Sequence, residues 1–319
     1  MYLLKRLALI IPTAILSSLL IFVVMSVLPG DVALSILSDT PHTVEMREAL
    51  RDELGLNDPY TVQFARWMWS MLTGGFGGES LQMQIPIRSI VAQEMPVTIM
   101  IALYTVFLSV LVSVPLAVVS ATRKNRLADF VVRAASLGGL ALPHVWLALI
   151  LILLLLRVFG WSPPIIYSGL FENPVEHMAL LIWPVLLLTW QLSSHLVRSV
   201  RTALVEALAS VHVLAARARG VPEWKVIWVH ALREALIPAI TVLALQMGTL
   251  LGGSVVLEVI FGIPGIGRRL VDAALARDHP VVQSLAFLFV FAVLVVNVLV
   301  DFVYSVADPR VRPGLGAAE

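Results

Sequence analysis

The chain reads as an all-α membrane protein with six membrane-spanning helices. Three observations predict this class. Hydrophobic residues make up 59% of the 319 residues, above the roughly 45–50% of soluble domains. Charged residues are only 13%, and the mean hydropathy of +0.92 leaves too little polar surface to cover a water-soluble fold. Six separate apolar runs also reach the roughly 20 residues that a helix needs to cross a hydrocarbon core about 30 Å thick.

Those runs are 7–28, 97–120, 132–156, 179–200, 236–257 and 284–306. Pro115, Pro143 and Pro184 fall inside the second, third and fourth, where membrane helices accept proline as a kink. The first run follows Lys5 and Arg6 as a signal peptide would. It is longer than the usual core of about 7–15 residues, with no A-x-A-like site before Pro29-Gly30-Asp31, so a retained helix is expected.

Lys and Arg set the orientation. With the N-terminus inside, 14 fall in inner segments and 8 in outer ones. Both termini are therefore expected in the cytoplasm. The chain is expected to divide into a first helix (1–30), an extracytoplasmic insert (31–95) and a core of five further spans (96–319) with a cytoplasmic loop at about 201–235.

Within the insert, residues 43–54 predict a short amphipathic helix, with Glu45 in its first turn and Gly55 as its stop. Trp67 and Trp69 fall on a second short helix, and Gly74-Gly75-Phe76-Gly77-Gly78 is a turn. The insert is either a lid or a docking surface for a partner.

The cytoplasmic loop carries the strongest local pattern. Residues 205–219 favour helix and end with Arg217 and Arg219 before Gly220, cations and glycine being suited to a helix C-terminus. Pro222 opens a second short helix with Trp224 and Trp228 one turn apart. The pair is either a rigid knob between spans or an amphipathic hairpin on anionic lipid.

Ionisable groups in a bilayer core mark function by default, and here they are few: Asp301, His195 and Glu258. The first two read as structural, and no carboxylate stands near a midplane where a coupled carrier would place it. The fifth span carries Gln246, Gly248, Thr249, Gly252, Gly253 and Ser254. Gly248 and Gly252 form a small-xxx-small pair, so this face is a packing seam or a pathway wall, packing being the commoner use. Residues 258–269 read as a tight external turn, in which the glycines are no phosphate loop, because none of Lys5, Lys124 and Lys225 follows a glycine.

Without cysteine there is no thiol chemistry, and the seven histidines lack ligand spacing. No G-x-S-x-G or H-E-x-x-H motif is present. No catalysis, cofactor, metal or nucleic acid is expected.

Ala215-Ala216 with Gly220 resembles the E-A-A-x-x-x-G loop of permeases in bacterial ATP-binding-cassette importers. The likeness is nearest to the first permease of the dipeptide/oligopeptide/nickel group and runs along nearly the whole chain. It includes Leu28-Pro29-Gly30-Asp31, Leu54-Gly55-Leu56 with Pro59 and Gln63, Pro96 with Thr98, and Leu142-Pro143 with Trp146. Further on come Leu232 with Glu234-Ala235-Leu236, Phe261 with Pro264-Gly265-Ile266-Gly267, Ala276-Arg277-Asp278 with Pro280, and Asp308-Pro309-Arg310. Leu214 replaces the loop's glutamate, Arg233 its closing proline and His279 the tyrosine of A-R-D-Y-P, and Gly75-Phe76-Gly77-Gly78-Glu79-Ser80 lacks the aspartate of G-D-L-G-x-S.

The resemblance implies a type I importer permease fold with an external insert, in a bacterial plasma membrane. It implies an ATPase-coupling helix at His212, Ala215, Ala216, Arg217, Arg219 and Gly220. Gln246, Thr249 and Ser254 are candidates for the pathway wall, and Pro264, Gly265 and Gly267 for an external turn. The partners implied are a homologous second permease, two cytoplasmic ATPases, an extracytoplasmic binding protein, membrane lipid and a peptide substrate. The alternatives are nickel chelates, glutathione or another small solute on the same architecture, or a self-sufficient carrier or channel.

Overall fold

Helix follows from the bilayer itself, which leaves backbone polar groups no partner but one another. The computed structural model describes residues 2–27, 32–37, 43–164 and 167–307. The motifs Leu28-Pro29-Gly30-Asp31 and Asp308-Pro309-Arg310 lie outside the described residues, as does the side chain of Asp301.

The elements are α1 (Tyr2–Val27), α2 (Val32–Leu37), α3 (Val44–Glu53), α4 (Tyr60–Leu72), α5 (Ile87–Thr122), α6 (Leu127–Ala141) and α7 (His144–Phe159). Then follow α8 (Pro174–Leu208), α9 (Val211–Ala218), α10 (Glu223–Lys225), a π-helical turn (Val226–Ala231), α11 (Leu232–Phe261), α12 (Ile266–Leu275) and α13 (His279–Ala307). Among the described residues, five stretches are long and apolar enough to cross a membrane: Leu9–Val27, Ile87–Thr122, Pro174–Leu208, Glu223–Phe261 and His279–Val300. The pair α6 and α7 meets the same standard only when the two are taken together, which brings the number to six.

That pair corrects the expectation of a continuous third span. The two helices meet at a 100° bend. Pro143 has no N–H and pushes the residue before it out of the helical region, and Leu142 is accordingly extended (φ −91°, ψ 124°). The short helices of the insert do form. Thr43 caps α3 by accepting from the Met46 N–H, and Gly55, at φ +65°, stops it.

The chain divides into two compact units. One is built on residues 100–263. There α8 sets Leu192, Leu196, Val200 and Leu204 against Ala117, Val118 and Ala121 of α5 and against Leu232, Ala235 and Ala239 of α11. Thr105, Ser109 and Ser113, four residues apart on α5, are all buried, and Ser109 Oγ donates to the Thr189 carbonyl at 3.4 Å. Small polar residues of this kind let membrane helices approach closely.

The close approach expected at Gly248 and Gly252 is found elsewhere. A Cβ on either would meet nothing within 4 Å, whereas one on Gly139 would lie 2.2 Å from Ser194 Oγ and 3.1 Å from the Trp190 carbonyl. The tight seam is α6 on α8, closed by Trp190 Nε1 donating to the Ala135 carbonyl at 3.1 Å.

The second unit joins residues 6–99 to 264–294. Its core gathers Ile87, Ile90 and Val91 of α5, Ile266 and Ala273 of α12, and Val281, Leu285 and Leu288 of α13. The insert is fastened to α13, where Trp67 Nε1 donates to Ser284 Oγ at 3.2 Å and the Trp67 ring meets Phe287 edge-on.

Candidate functional site

The fourth span does not stop at residue 200 but runs helical to Leu208. Ser210 then turns extended (φ −73°, ψ 152°), and α9 occupies only Val211–Ala218. The single helix expected over 205–219 is thus two pieces. Its C-terminal end is as the residues dictate: the Gly220 N–H donates to the Arg217 carbonyl at 2.9 Å and Gly220 takes φ +76°, where a side chain would be strained.

No separate second short helix forms after Pro222. Glu223 opens one helical run that continues through the π-turn into the fifth span. The wider π-turn brings residues five apart onto one side, so Val226 and Ala231 both enter the core while Trp224 and Trp228 stay exposed.

The short helix α9 has two different faces. Val213 and Ala216 are 0% and 1% exposed and join the core formed by α5, α8 and α11. Ala216 is therefore a seating residue, and its small size lets the helix sit close. The opposite face presents Val211, His212, Leu214, Ala215, Arg217 and Arg219 to solvent, with Val211 82% exposed. An apolar patch with a basic rim on an otherwise packed helix is the pattern of an interaction surface. Val211 was not singled out from the sequence, and Leu214 only as the residue that replaces the loop's glutamate. Their signal is two large apolar residues on the side of α9 away from Val213 and Ala216.

The ends of α9 are tied down. Arg217 donates from Nη2 to Glu223 Oε1 at 2.6 Å and from Nε to Oε2 at 3.1 Å, which raises the Arg217 pKa and fixes the turn around Gly220. Arg219 Nε donates to the Ala215 carbonyl at 3.3 Å, and His212 lies 3.5 Å from Glu234.

The expected wall residues separate. Gln246 and Thr249 lie on the more open side of α11, whereas Ser254 is fully buried and turns its hydroxyl onto the Leu251 carbonyl. Ser254 belongs to packing, because it lies on the side of α11 that carries Leu250 and Leu257 into the interior.

In the second unit the expected external turn contains a helix. Gly265 is the N-cap of α12, and the Ile266 N–H donates to Thr98 Oγ1 at 3.0 Å. Gly265 and Gly267 are buried and Pro264 is half-buried. Beyond α12 the buried Asp278 carboxylate accepts from Ser80 Oγ and from the N–H groups of Leu81 and Gln82, the latter two at 3.3 Å. Arg269 forms a bidentate pair with the nearly buried Glu94. Neither Asp278 nor Glu94 was expected to serve as an anchor. Asp278 stood in the sequence only as part of the Ala276-Arg277-Asp278 motif, and Glu94 only as an acid just before the second apolar run.

Residues 1–110 match the N-terminal model of binding-protein-dependent transport system membrane components, and residues 113–313 match the binding-protein-dependent transport system inner membrane component. The chain belongs to this family. An inner membrane component of this kind works with ATPase and substrate-binding partners.

A Brucella abortus protein provisionally named a peptide transport system permease is 38% identical over 311 residues, covering 97% of this chain and 98% of its own length. The oligopeptide transport system permease of Bacillus subtilis is 33% identical over 317 residues, 98% of this chain and 99% of the relative. The dipeptide transport system permease of Escherichia coli is 32% identical over 337 residues, 98% of each chain.

Proposed function

We propose that this inner membrane component is the membrane-spanning subunit of an ATP-driven importer of di- and oligopeptides, and that α9 is its contact with a cytoplasmic ATPase. The two-sidedness of α9 carries the reading. Val213 and Ala216 root the helix in the core, while Val211, Leu214 and the cationic end stay outside. Close-packed interiors transmit displacement rather than absorb it, so a push on α9 reaches α8, α5 and α11 together. The peptide relatives supply the substrate class.

On this reading His212, Ala215, Arg217 and Arg219 meet the ATPase, Ala216 seats the helix, and Gly220 permits the turn behind it. A second homologous permease completes the pathway, whose wall includes Gln246 and Thr249, and two ATPase subunits lie beneath. An extracytoplasmic binding protein delivers peptide to the side of the insert and of Pro264, Gly265 and Gly267. The complex sits in a bacterial inner membrane with both termini of this chain in the cytoplasm. Nucleotide on one side and loaded binding protein on the other bias two packings of one bundle, and the chain itself hydrolyses nothing.

Reconstitution in proteoliposomes tests the proposal. ATP-dependent uptake of a labelled dipeptide is expected only when the second permease, the ATPases and the loaded binding protein are all present. Uptake by the chain alone would make it a self-sufficient carrier. Uptake of a nickel chelate or glutathione, but of no peptide, would change the substrate class and leave the architecture standing.

A further inference from the structure

Charged groups within membrane spans are few, so each reports where water or a charged ligand reaches. On α8, His195, Arg198, Ser199 and Thr202 follow one another at helical spacing and share one side. The opposite side is packed by Leu196, Val197, Val200 and Leu204. The polar side lines a groove of about 420 Å³ whose other wall is Val242, Leu245 and Gln246 of α11.

The groove has the donors of an anion site. Gln246 Nε2 lies 3.3 Å from His195 Nδ1. With the Gln246 amide N–H₂ donating, His195 accepts at Nδ1 and its Nε2 carries the ring proton. Arg198 is exposed and has no carboxylate partner among the described residues. Arg201, three residues along the same helix, is by contrast neutralised by Asp129. Beyond Leu245, the positions Gly248, Thr249 and Gly252 continue along an open side of α11.

We infer that this groove receives the carboxylate of the transported peptide, with Arg198 as the counter-charge and His195 and Ser199 as hydrogen-bond donors. The inference rests on the peptide reading above. A carboxylate that enters the bundle loses water, and without a counter-charge that loss is uncompensated. A fixed guanidinium offsets it with charge-assisted hydrogen bonds. A phosphate of a lipid headgroup has the same chemistry and is separated from the peptide by the test.

The test uses the complete complex in proteoliposomes, with a peptide and its C-terminal amide that the wild-type complex both imports. The readout is the ratio of the two uptake rates, which general damage to the complex does not move. Arg198→Gln is expected to lower the acid-to-amide ratio about tenfold, and Arg198→Lys to restore most of it. Co-purification with the partner subunits checks assembly. An unchanged ratio, with both rates reduced only in vesicles containing phosphatidylglycerol, would assign the groove to a lipid headgroup and overturn the inference. An unchanged ratio with wild-type rates would overturn it as well. A wild-type complex that imports neither peptide would instead overturn the peptide reading, and this inference with it.

Discussion

Arg201 grips Asp129 with two parallel hydrogen bonds, Nε to Oδ1 and Nη2 to Oδ2, each 2.8 Å long. The carboxylate is 1% exposed and the guanidinium 18%. Ser120 Oγ adds a donor at 2.6 Å and the Asn125 N–H another at 2.9 Å. One buried ion pair thus joins the end of α5, the first turn of α6 and the stretch of α8 that leads into α9.

Breaking that pair from one side strands a charge that is mostly out of water. Asp129→Ala should destabilise the chain by about 3 kcal/mol, the lower end for a broken buried pair because Arg201 keeps some solvent. Asp129→Asn, which retains shape and some hydrogen bonding, should lose less. Thermal unfolding in detergent at a fixed scan rate ranks the two, and equal midpoints for wild type and alanine variant would refute the assignment.

The Arg217–Glu223 pair is largely exposed, so its stability contribution is at most about 0.2–1 kcal/mol. Its removal should nevertheless matter to coupling. Reversal of Arg217 and Arg219 to glutamate should lower peptide imported per ATP hydrolysed while the unfolding midpoint barely moves. Glu223→Gln separates two causes: if it uncouples equally, the tied turn is what counts, and if not, the cations themselves meet the ATPase. Gly220→Pro forbids φ +76° and removes the N–H bonded to the Arg217 carbonyl, so it should uncouple as strongly as the charge reversals.

Glycines of the spans should divide sharply. Gly139→Val drives side-chain atoms into Ser194 and the Trp190 backbone and should cost about 1–3 kcal/mol by overpacking. Gly248→Val and Gly252→Val enter open space and should leave the isolated chain as stable as wild type. A transport defect in the latter pair, measured in the full complex, would then report what faces α11 there.

The insert offers its own contrast. Asp278→Ala removes the acceptor for Ser80, Leu81 and Gln82, so hydrogen exchange at Leu81 and Gln82 should quicken. Trp69 is 70% exposed on α4 and anchors nothing comparable to the Trp67–Ser284 bond. Trp69→Ser should leave the fold intact and reduce stimulation of ATPase activity by the loaded binding protein; undiminished stimulation would favour the lid.

The apolar spans and the insert's helices were legible because each depends on a run of residues, or on contacts within one turn. Hydropathy counts residues singly, and Thr43 and Gly55 act on their immediate neighbours. The bend at Leu142-Pro143 was signalled by its proline, yet in a bilayer proline permits either a kink or a break, and packing of α6 along α8 selects the break.

Amino-acid sequence alone determined that this chain lives in lipid, carries about six apolar runs long enough to cross it and ends the helix before Gly220 in arginines. Tertiary structure alone decided which face of α9 is buried, that Gly139 rather than Gly248 or Gly252 makes the close seam, and that Arg201 finds Asp129 while Arg198 finds no carboxylate among the described residues. The reason is range. Burial from water is a property each residue carries with it, whereas a hydrogen bond across 72 positions exists only once the helices between have taken their places.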